Sequence, residues 1–128
     1  MNQPSYTSGR QDVALLATTV GDAFDATVAR HAEREALVVR HQRLRYSWRQ
    51  LAERVDAYAR AFIALGLRPG ERLGIWAPNC AEWCITQFAS AKVGAVLVNI
   101  NPAYRSSELE YALKQSGCSW LICADAFK

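Results

Sequence analysis

Three short apolar runs in the second half of the chain constrain its fold more than any other feature. They cover residues 72–77, 95–100 and 119–124, and none alternates polar and apolar side chains as a strand with one wet face does. Helix-like segments separate them, one at 80–93 and a second that ends near Gln115. Apolar strands that alternate with helices form parallel sheets covered by helices on both faces, with right-handed crossovers. We therefore expect a parallel α/β sheet of this kind.

The first half of the chain predicts a helix and a β-hairpin ahead of this sheet. Thr19 is suited to cap a helix whose first turn contains Asp22. Two short strands, 36–40 and 43–46, flank a tight turn at residues 41–42. No periodic pattern precedes this helix, so we expect residues 1–17 to form a flexible arm and residues 18–128 to form one α/β subdomain.

The clearest helix covers residues 47–65. Ser47 and Gln50 have the spacing of a capping box, and Gly66 is placed to end the helix. Large apolar side chains recur at steps of three and four, which predicts one buried face: Trp48, Leu51, Val55, Tyr58, Phe62 and Leu65. A helix of this length is stabilised by docking its apolar face, and the sheet is the expected partner.

Two further helix starts are predicted from polar side chains. Asn79 precedes an apolar segment and has Glu82 three residues later, so we expect it to cap the second helix of the α/β region. Ser107 and Glu110 have the spacing of a capping box for the next helix.

Composition excludes several classes of protein. The chain has 128 residues, 51% of them hydrophobic and 21% charged, which is typical of one globular domain. Its net charge of +3 is spread along the sequence, whereas nucleic-acid binding requires a basic cluster. No apolar run approaches the ~18–20 residues that cross a bilayer. No secretory signal pattern is present, so we expect a cytoplasmic protein.

The sequence contains no motif that carries chemistry by itself. Dinucleotide-binding, phosphate-loop, nucleophile-elbow and zinc-protease motifs are all absent. The two histidines, His31 and His41, are predicted to lie on the surface, away from the carboxyl ends of the strands. Four cysteines allow either a zinc site or four reduced thiols, and their spacing favours thiols because zinc knuckles use closer pairs on tight turns: Cys80, Cys84, Cys118 and Cys123.

Polar residues follow two of the predicted parallel strands. Pro78 and Asn79 follow the first, and Asn101, Pro102, Tyr104 and Arg105 follow the second. Ligands of parallel α/β sheets bind at this edge, and an arginine fork suits a phosphate. Asn and Pro are equally ordinary turn residues. The sequence therefore leaves two interpretations of this segment open, a ligand rim and a structural turn.

Several segments, taken in order, resemble the N-terminal region of acyl-CoA synthetases in the acyl-adenylate-forming superfamily. The segment 44–51 is similar to the first core motif of the family, although Arg49 and Gln50 stand where an acid is typical. The segments 65–76, 79–83 and 89–113 resemble later family stretches, and the Asn-Pro-x-Tyr style is similar to that of the medium- and long-chain fatty acid branch. The resemblance extends from about residue 19 to 128.

This resemblance implies a partial three-layer, Rossmann-like sheet that forms the N-terminal part of a larger adenylate-forming domain. It implies an acid–thiol ligase that joins a fatty acid or other carboxylate to CoA, using ATP and Mg²⁺. The residues that carry this chemistry in relatives lie beyond residue 128. We therefore expect a truncated fragment that is inactive alone and binds none of these cofactors tightly.

The resemblance also implies that Asn101, Pro102, Tyr104 and Arg105 lie on the side where CoA enters. Two alternatives remain, both without catalysis: a binding module of the same fold, or a dimerisation module. A truncated sheet exposes an unpaired edge and apolar faces, so we expect the fragment to self-associate.

Overall fold

The computed structural model describes residue 5, residues 7–10 and residues 12–127. Its helices and strands follow one another in the predicted order: α1 (Val20–His31), β1 (Glu35–Val39), β2 (Leu44–Ser47), α2 (Trp48–Leu65), β3 (Arg72–Trp76), α3 (Ala81–Lys92), β4 (Val96–Ile100), α4 (Ser106–Ser116), β5 (Trp120–Cys123) and a short 3₁₀ turn at Asp125–Phe127. No helix in this part of the chain has both the length and the hydropathy needed to cross a membrane.

The parallel sheet has three strands in the order β4-β3-β5, and the antiparallel hairpin β1-β2 stands apart from it. The central strand β3 pairs in parallel with both neighbours, so that Leu73 lies opposite Leu97 on one side and Trp120 on the other. Of the three strands of the parallel sheet, β3 is the one that is largely buried. The expectation that every strand is buried on both faces is wrong for β4 and β5, because each forms an edge: Val96 and Leu121 are exposed.

Helices cover the two faces of the sheet unequally. Leu73 belongs to the main core, which contains α1, α2 and α3. A Cβ added to Gly74 would point away from that core, to within 3.4 Å of Leu113 on α4. The predicted helices on both faces are therefore confirmed, but α4 contributes no fully buried residue.

The α2 helix begins as its sequence predicts. The Ser47 hydroxyl accepts from the backbone N–H of Gln50, and the Gln50 side chain accepts from the N–H of Ser47. Gly66 ends the helix in the left-handed region, at φ 96°. The predicted apolar face is buried at Leu51, Val55 and Phe62 but not at Leu65, which is 69% exposed. The prediction that α2 docks on the parallel sheet is wrong, because α2 packs mainly against α3, α1 and the hairpin.

The α1 helix is capped by Thr19, whose hydroxyl accepts from the N–H of Asp22 at 3.0 Å. Before it, the described residues form neither helix nor strand, and Leu15 and Leu16 are exposed. The remainder of the predicted arm, at residues 1–4, 6 and 11, lies outside the described residues.

A single lysine joins the three helices of the main core. Lys92, at the end of α3, contacts Asp25 of α1 and Asp56 of α2 at 2.6 Å each. Its ammonium group also lies 5.5 Å from the centre of the Phe24 ring. Burial opposes the charge of Lys92, but the two carboxylates outweigh it and raise its pKa.

Two predicted helix caps are wrong. The N-cap of α3 is Cys80, and Asn79 is exposed in the turn before it. The N-cap of α4 is Arg105, two residues before the predicted Ser107. Glu108 makes this earlier start possible, because its carboxylate accepts from the backbone N–H of Arg105 at 2.7 Å.

Candidate functional site

The carboxyl edge of the parallel sheet contains the residues that the sequence singled out. From β3 the chain crosses to β4 on one side, and later returns to place β5 on the other side of β3. In open parallel sheets such a reversal leaves a crevice at the carboxyl ends of the two strands that flank it. Here those strands are β3 and β5, which end at Trp76 and Cys123.

The loop after β4 is held in shape by Asn101. Its backbone carbonyl accepts from the Trp76 indole at 3.2 Å and from the N–H of Tyr104 at 3.0 Å. Its side-chain oxygen accepts from the N–H of Ala103 at 3.0 Å. These bonds support the turn interpretation for Asn101, whose Oδ1 already has a partner within the loop.

The other predicted residues of this loop face solvent. Tyr104 is 37% exposed, and Pro102 and Arg105 are exposed. Among the described residues, the Arg105 guanidinium makes no ion pair. The loop therefore combines an internal structural residue, Asn101, with an exposed arginine whose donors are available to an anion.

A crevice of about 420 Å³ opens on the other side of Trp76, between the ends of β3 and β5 and the first turns of α3. Ile75 and Ile122 form its apolar floor, and Tyr58 and Trp83 contribute aromatic walls. Burial, the largest influence, raises the pKa of the Tyr58 hydroxyl, with a further contribution from Glu82. Tyr58 therefore remains a neutral hydrogen-bonding group at physiological pH.

Gln42 fixes the polar rim of this crevice. Its side-chain oxygen accepts from the N–H of Ala81 at 2.7 Å, and its amide nitrogen donates to the Glu82 carboxylate at 2.8 Å. The bond from Gln42 holds the pKa of Glu82 below its usual range, with a smaller effect from His41. The hairpin turn thus supplies the cap that Cys80 lacks, and keeps Glu82 ionised at the site.

This contact corrects the predicted position of the hairpin turn. His41 was expected to lie away from the carboxyl ends of the strands, yet its neighbour Gln42 lines the crevice at those ends and His41 lies near enough to influence Glu82. Gln42 and Ala81 are 39 residues apart, and no local pattern signals their contact. Sequence reasoning therefore missed Gln42, and it also missed Thr86, which lines the same crevice.

The cysteines are free thiols. Burial raises the pKa of Cys80 and of Cys84, which keeps both protonated. No three His, Cys, Asp or Glu side chains gather around a possible metal position in the described part of the chain. The described residues therefore offer no ligand set that fits Mg²⁺, and we assign them no step of nucleotide chemistry.

A parallel sheet in which the order of strand addition reverses between β3 and β5, with helices on both faces, defines a doubly wound α/β protein. The chain belongs to the AMP-binding enzyme family, whose model matches residues 24–128.

Individual relatives agree with this assignment. The mitochondrial medium-chain acyl-CoA ligase ACSF2 of Mus musculus is 47% identical over 124 residues, 97% of this chain and 20% of that ligase. The N-terminal subdomain of NpsA from Klebsiella oxytoca has a TM-score of 0.80 at 28% identity, over 86% of this chain and 28% of that one. A fatty acyl CoA synthetase of Mycobacterium tuberculosis has a TM-score of 0.82 at 26% identity, over 85% and 22%. The chain spans about one fifth of the length of the curated relatives it matches.

Proposed function

We propose that this chain is the N-terminal part of an ATP-dependent fatty acyl-CoA ligase. The supporting observation is its 47% identity over 124 residues to a protein named as a medium-chain acyl-CoA ligase. In the proposed reaction a fatty acid carboxylate attacks the α-phosphorus of Mg·ATP, forming acyl-adenylate and releasing pyrophosphate. The thiol of CoA then attacks the acyl carbon, forms the thioester and releases AMP.

The 128 residues alone should not catalyse either step, because they contain no phosphate loop and no cluster suited to Mg²⁺ among the described residues. The test compares this chain with the complete reading frame that contains it, using octanoate, ATP, Mg²⁺ and CoA. We expect octanoyl-CoA, AMP and pyrophosphate from the complete frame and none from the 128 residues. Absence of product from the complete frame with fatty acids of any length would reject the ligase proposal.

We further propose that the loop of Asn101, Pro102, Tyr104 and Arg105 forms part of the rim that CoA approaches. Arg105 supports this, because its exposed guanidinium suits the phosphates of CoA. Arg105→Ala in the complete enzyme should raise the KM for CoA at least about tenfold while leaving the KM for ATP unchanged, since a hydrogen bond to a charged group contributes roughly 1.5–3 kcal/mol. Arg68→Ala is the matched control, an exposed arginine in the turn before β3 at the opposite edge of the sheet. An unchanged KM for CoA in Arg105→Ala would remove the loop from the CoA site.

The isolated 128 residues should self-associate. Within the described part of the chain each of the two edge strands is paired on one side only, and Val96, Leu121 and Tyr111 are 48%, 41% and 68% exposed. Sedimentation velocity at increasing concentration should show dimers or larger species, and a monomer throughout would contradict this.

The four free thiols favour a reducing compartment, and we propose the cytoplasm. The ACSF2 relatives are named as mitochondrial. Localisation of the complete protein, fused to a fluorescent tag at its carboxyl end, distinguishes a cytoplasmic from a mitochondrial location.

A further inference from the structure

Trp76 ends the central strand β3, and its half-buried side chain meets the segments that follow both neighbouring strands. Its indole N–H donates to the backbone carbonyl of Asn101, in the loop after β4, at 3.2 Å. Its ring packs against Phe127, in the turn after β5, with the ring centres 4.5 Å apart. These two contacts fix the indole across the carboxyl edge of the sheet, between the loop and the turn.

The bond from Trp76 tethers the loop of residues 101–105 to the sheet. Among the described residues, the other hydrogen bonds of this loop stay within the loop or go to α4. The helix α4 contributes no fully buried residue, so it is a weak anchor for the loop. The placement of the loop relative to β3 therefore depends on one indole N–H.

The position of Arg105 follows from that of Asn101. The Asn101 carbonyl also accepts from the N–H of Tyr104, which directly precedes Arg105, at 3.0 Å. The N–H of Arg105 in turn donates to the Glu108 carboxylate at 2.7 Å. A shift of Asn101 is thus passed through a hydrogen-bonded turn to the arginine, and a displacement of about 1 Å is enough to impair a positioned group.

We propose that Trp76 is a positioning residue for the CoA step of the ligase reaction. Its indole N–H holds the Asn101 carbonyl, and through it the loop, where the Arg105 guanidinium meets a phosphate of CoA. Trp76 acts through the loop and not by contact with CoA. This role rests on the proposed ligase function and on the proposed CoA rim. Because adenylation uses no CoA, the contribution of Trp76 falls on the second step alone.

Two variants remove the indole N–H of Trp76. Trp76→Phe keeps an aromatic ring next to Phe127, and 3-benzothienylalanine at position 76 keeps the shape of tryptophan without the donor. The second variant decides if Trp76→Phe does not fold. Trp48→Phe is the matched control, because the Trp48 ring contacts Phe24 while its indole N–H has no acceptor among the described residues.

Steady-state assays of the complete enzyme separate the two steps. Octanoate-dependent exchange of pyrophosphate into ATP measures adenylation without CoA, and octanoyl-CoA formation at varied CoA measures the whole reaction. In both Trp76 variants we expect exchange within about twofold of the parent and a KM for CoA about fivefold higher, the effect of one neutral hydrogen bond. Trp48→Phe should match the parent in both assays.

A double variant tests whether Trp76 acts through Arg105. When Trp76→Phe is combined with Arg105→Ala, the KM for CoA should equal that of Arg105→Ala, because the loop then has no guanidinium left to position. Effects that multiply would overturn the positioning role.

Limited digestion with trypsin follows the loop itself and does not depend on catalysis. Cleavage after the exposed Arg105, identified by mass spectrometry, should be about fivefold faster in both Trp76 variants, since a loop without its tether opens more often. Cleavage after Arg43, in the hairpin turn, is the internal reference and should be unchanged.

The results distinguish the role of Trp76 from the two proposals on which it rests. A parental KM for CoA in both Trp76 variants, or parental cleavage after Arg105, would overturn that role and leave the ligase proposal intact. An unchanged KM for CoA in Arg105→Ala would reject the CoA rim and the role of Trp76 with it. If the complete frame forms no acyl-CoA, the ligase proposal and the CoA step fail, and faster cleavage after Arg105 would then support only the tether.

Discussion

Gln42 couples the hairpin to the parallel sheet, and its removal should weaken both stability and the geometry of the crevice. In Gln42→Ala the N–H of Ala81, at the first turn of α3, loses its acceptor. Loss of a helix cap costs about 1 kcal/mol, within a range of roughly 0.5–2 kcal/mol. The bond to Glu82 adds only a few tenths of a kcal/mol, roughly 0.2–0.5, because that carboxylate is exposed.

The total loss in Gln42→Ala is therefore about 1–1.5 kcal/mol. For a chain of this size it lowers the melting temperature by about 4 °C. Urea unfolding followed by far-UV circular dichroism measures the free energy directly, with Gln87→Ala as the matched control. Gln87 is an exposed glutamine on α3, and among the described residues only its backbone carbonyl, not its side chain, takes part in a side-chain hydrogen bond. Equal stability of the two variants would refute the capping role of Gln42.

The pH dependence separates the two bonds that Gln42 makes. The folded-state pKa of Glu82 is lowered, so the stability it provides is present above its unfolded pKa of about 4.3 and is lost as the pH falls through the lower folded value. The difference in free energy of unfolding between the parent chain and Gln42→Ala should therefore shrink below pH 4 to the contribution of the bond that caps α3 at Ala81. Gln42→Glu keeps an acceptor for Ala81 but faces Glu82 with a like charge, so it should be less stable at pH 7 than at pH 4 relative to the parent. An identical pH profile for all three chains would show that Glu82 does not sense Gln42.

Two other substitutions test the packing. Gly74→Ala should reduce the free energy of unfolding by about 1–3 kcal/mol in urea titrations, because the new methyl group would lie 3.0 Å from the Ile100 side chain. Gly9→Ala is the control and should have no effect, because no described atom beyond its chain neighbours lies within 4 Å of the added methyl group. Lys92→Met should cost about 1 kcal/mol by loss of its contacts with Asp25 and Asp56. Because the folded-state pKa of Lys92 is raised, the stability that its ion pairs provide is complete below about pH 10 and is lost as the pH rises through the folded-state pKa. The melting temperatures of the parent chain and Lys92→Met, measured by calorimetry, should therefore differ at pH 7 and converge in strong alkali.

Local patterns were sufficient to predict the order of the helices and strands. Thr19, Ser47 and Gly66 each act within three or four residues of themselves, and each occupies its predicted position. The start of α4 was misplaced because two acids compete for the role of third helical residue. Glu108 reaches the N–H of Arg105, and the helix begins before Ser107. A side-chain pattern alone does not decide between such overlapping starts.

Burial of the outer strands and the composition of the crevice depend on contacts that are distant in sequence. An apolar run predicts a strand, but whether Leu121 is covered depends on what lies beside β5. The Gln42 cap depends on the hairpin folding over α3, which brings together residues 39 positions apart. The predicted loop at Asn101 to Arg105 was located correctly because it follows directly from the end of a strand.

Trp76 explains how one edge can hold two regions of opposite charge. Its indole N–H donates to the carbonyl of Asn101, and its ring packs at 4.5 Å against Phe127 in the turn after β5. The side chain thus connects the loop that carries Arg105 with the segment that carries Asp125, and it lies on the strand between them. Arg105 on one side and Glu82 on the other would form an ion pair if they met, which would leave neither available to a ligand. Because β3 and its terminal tryptophan stand between them, each side keeps its own electrostatic character.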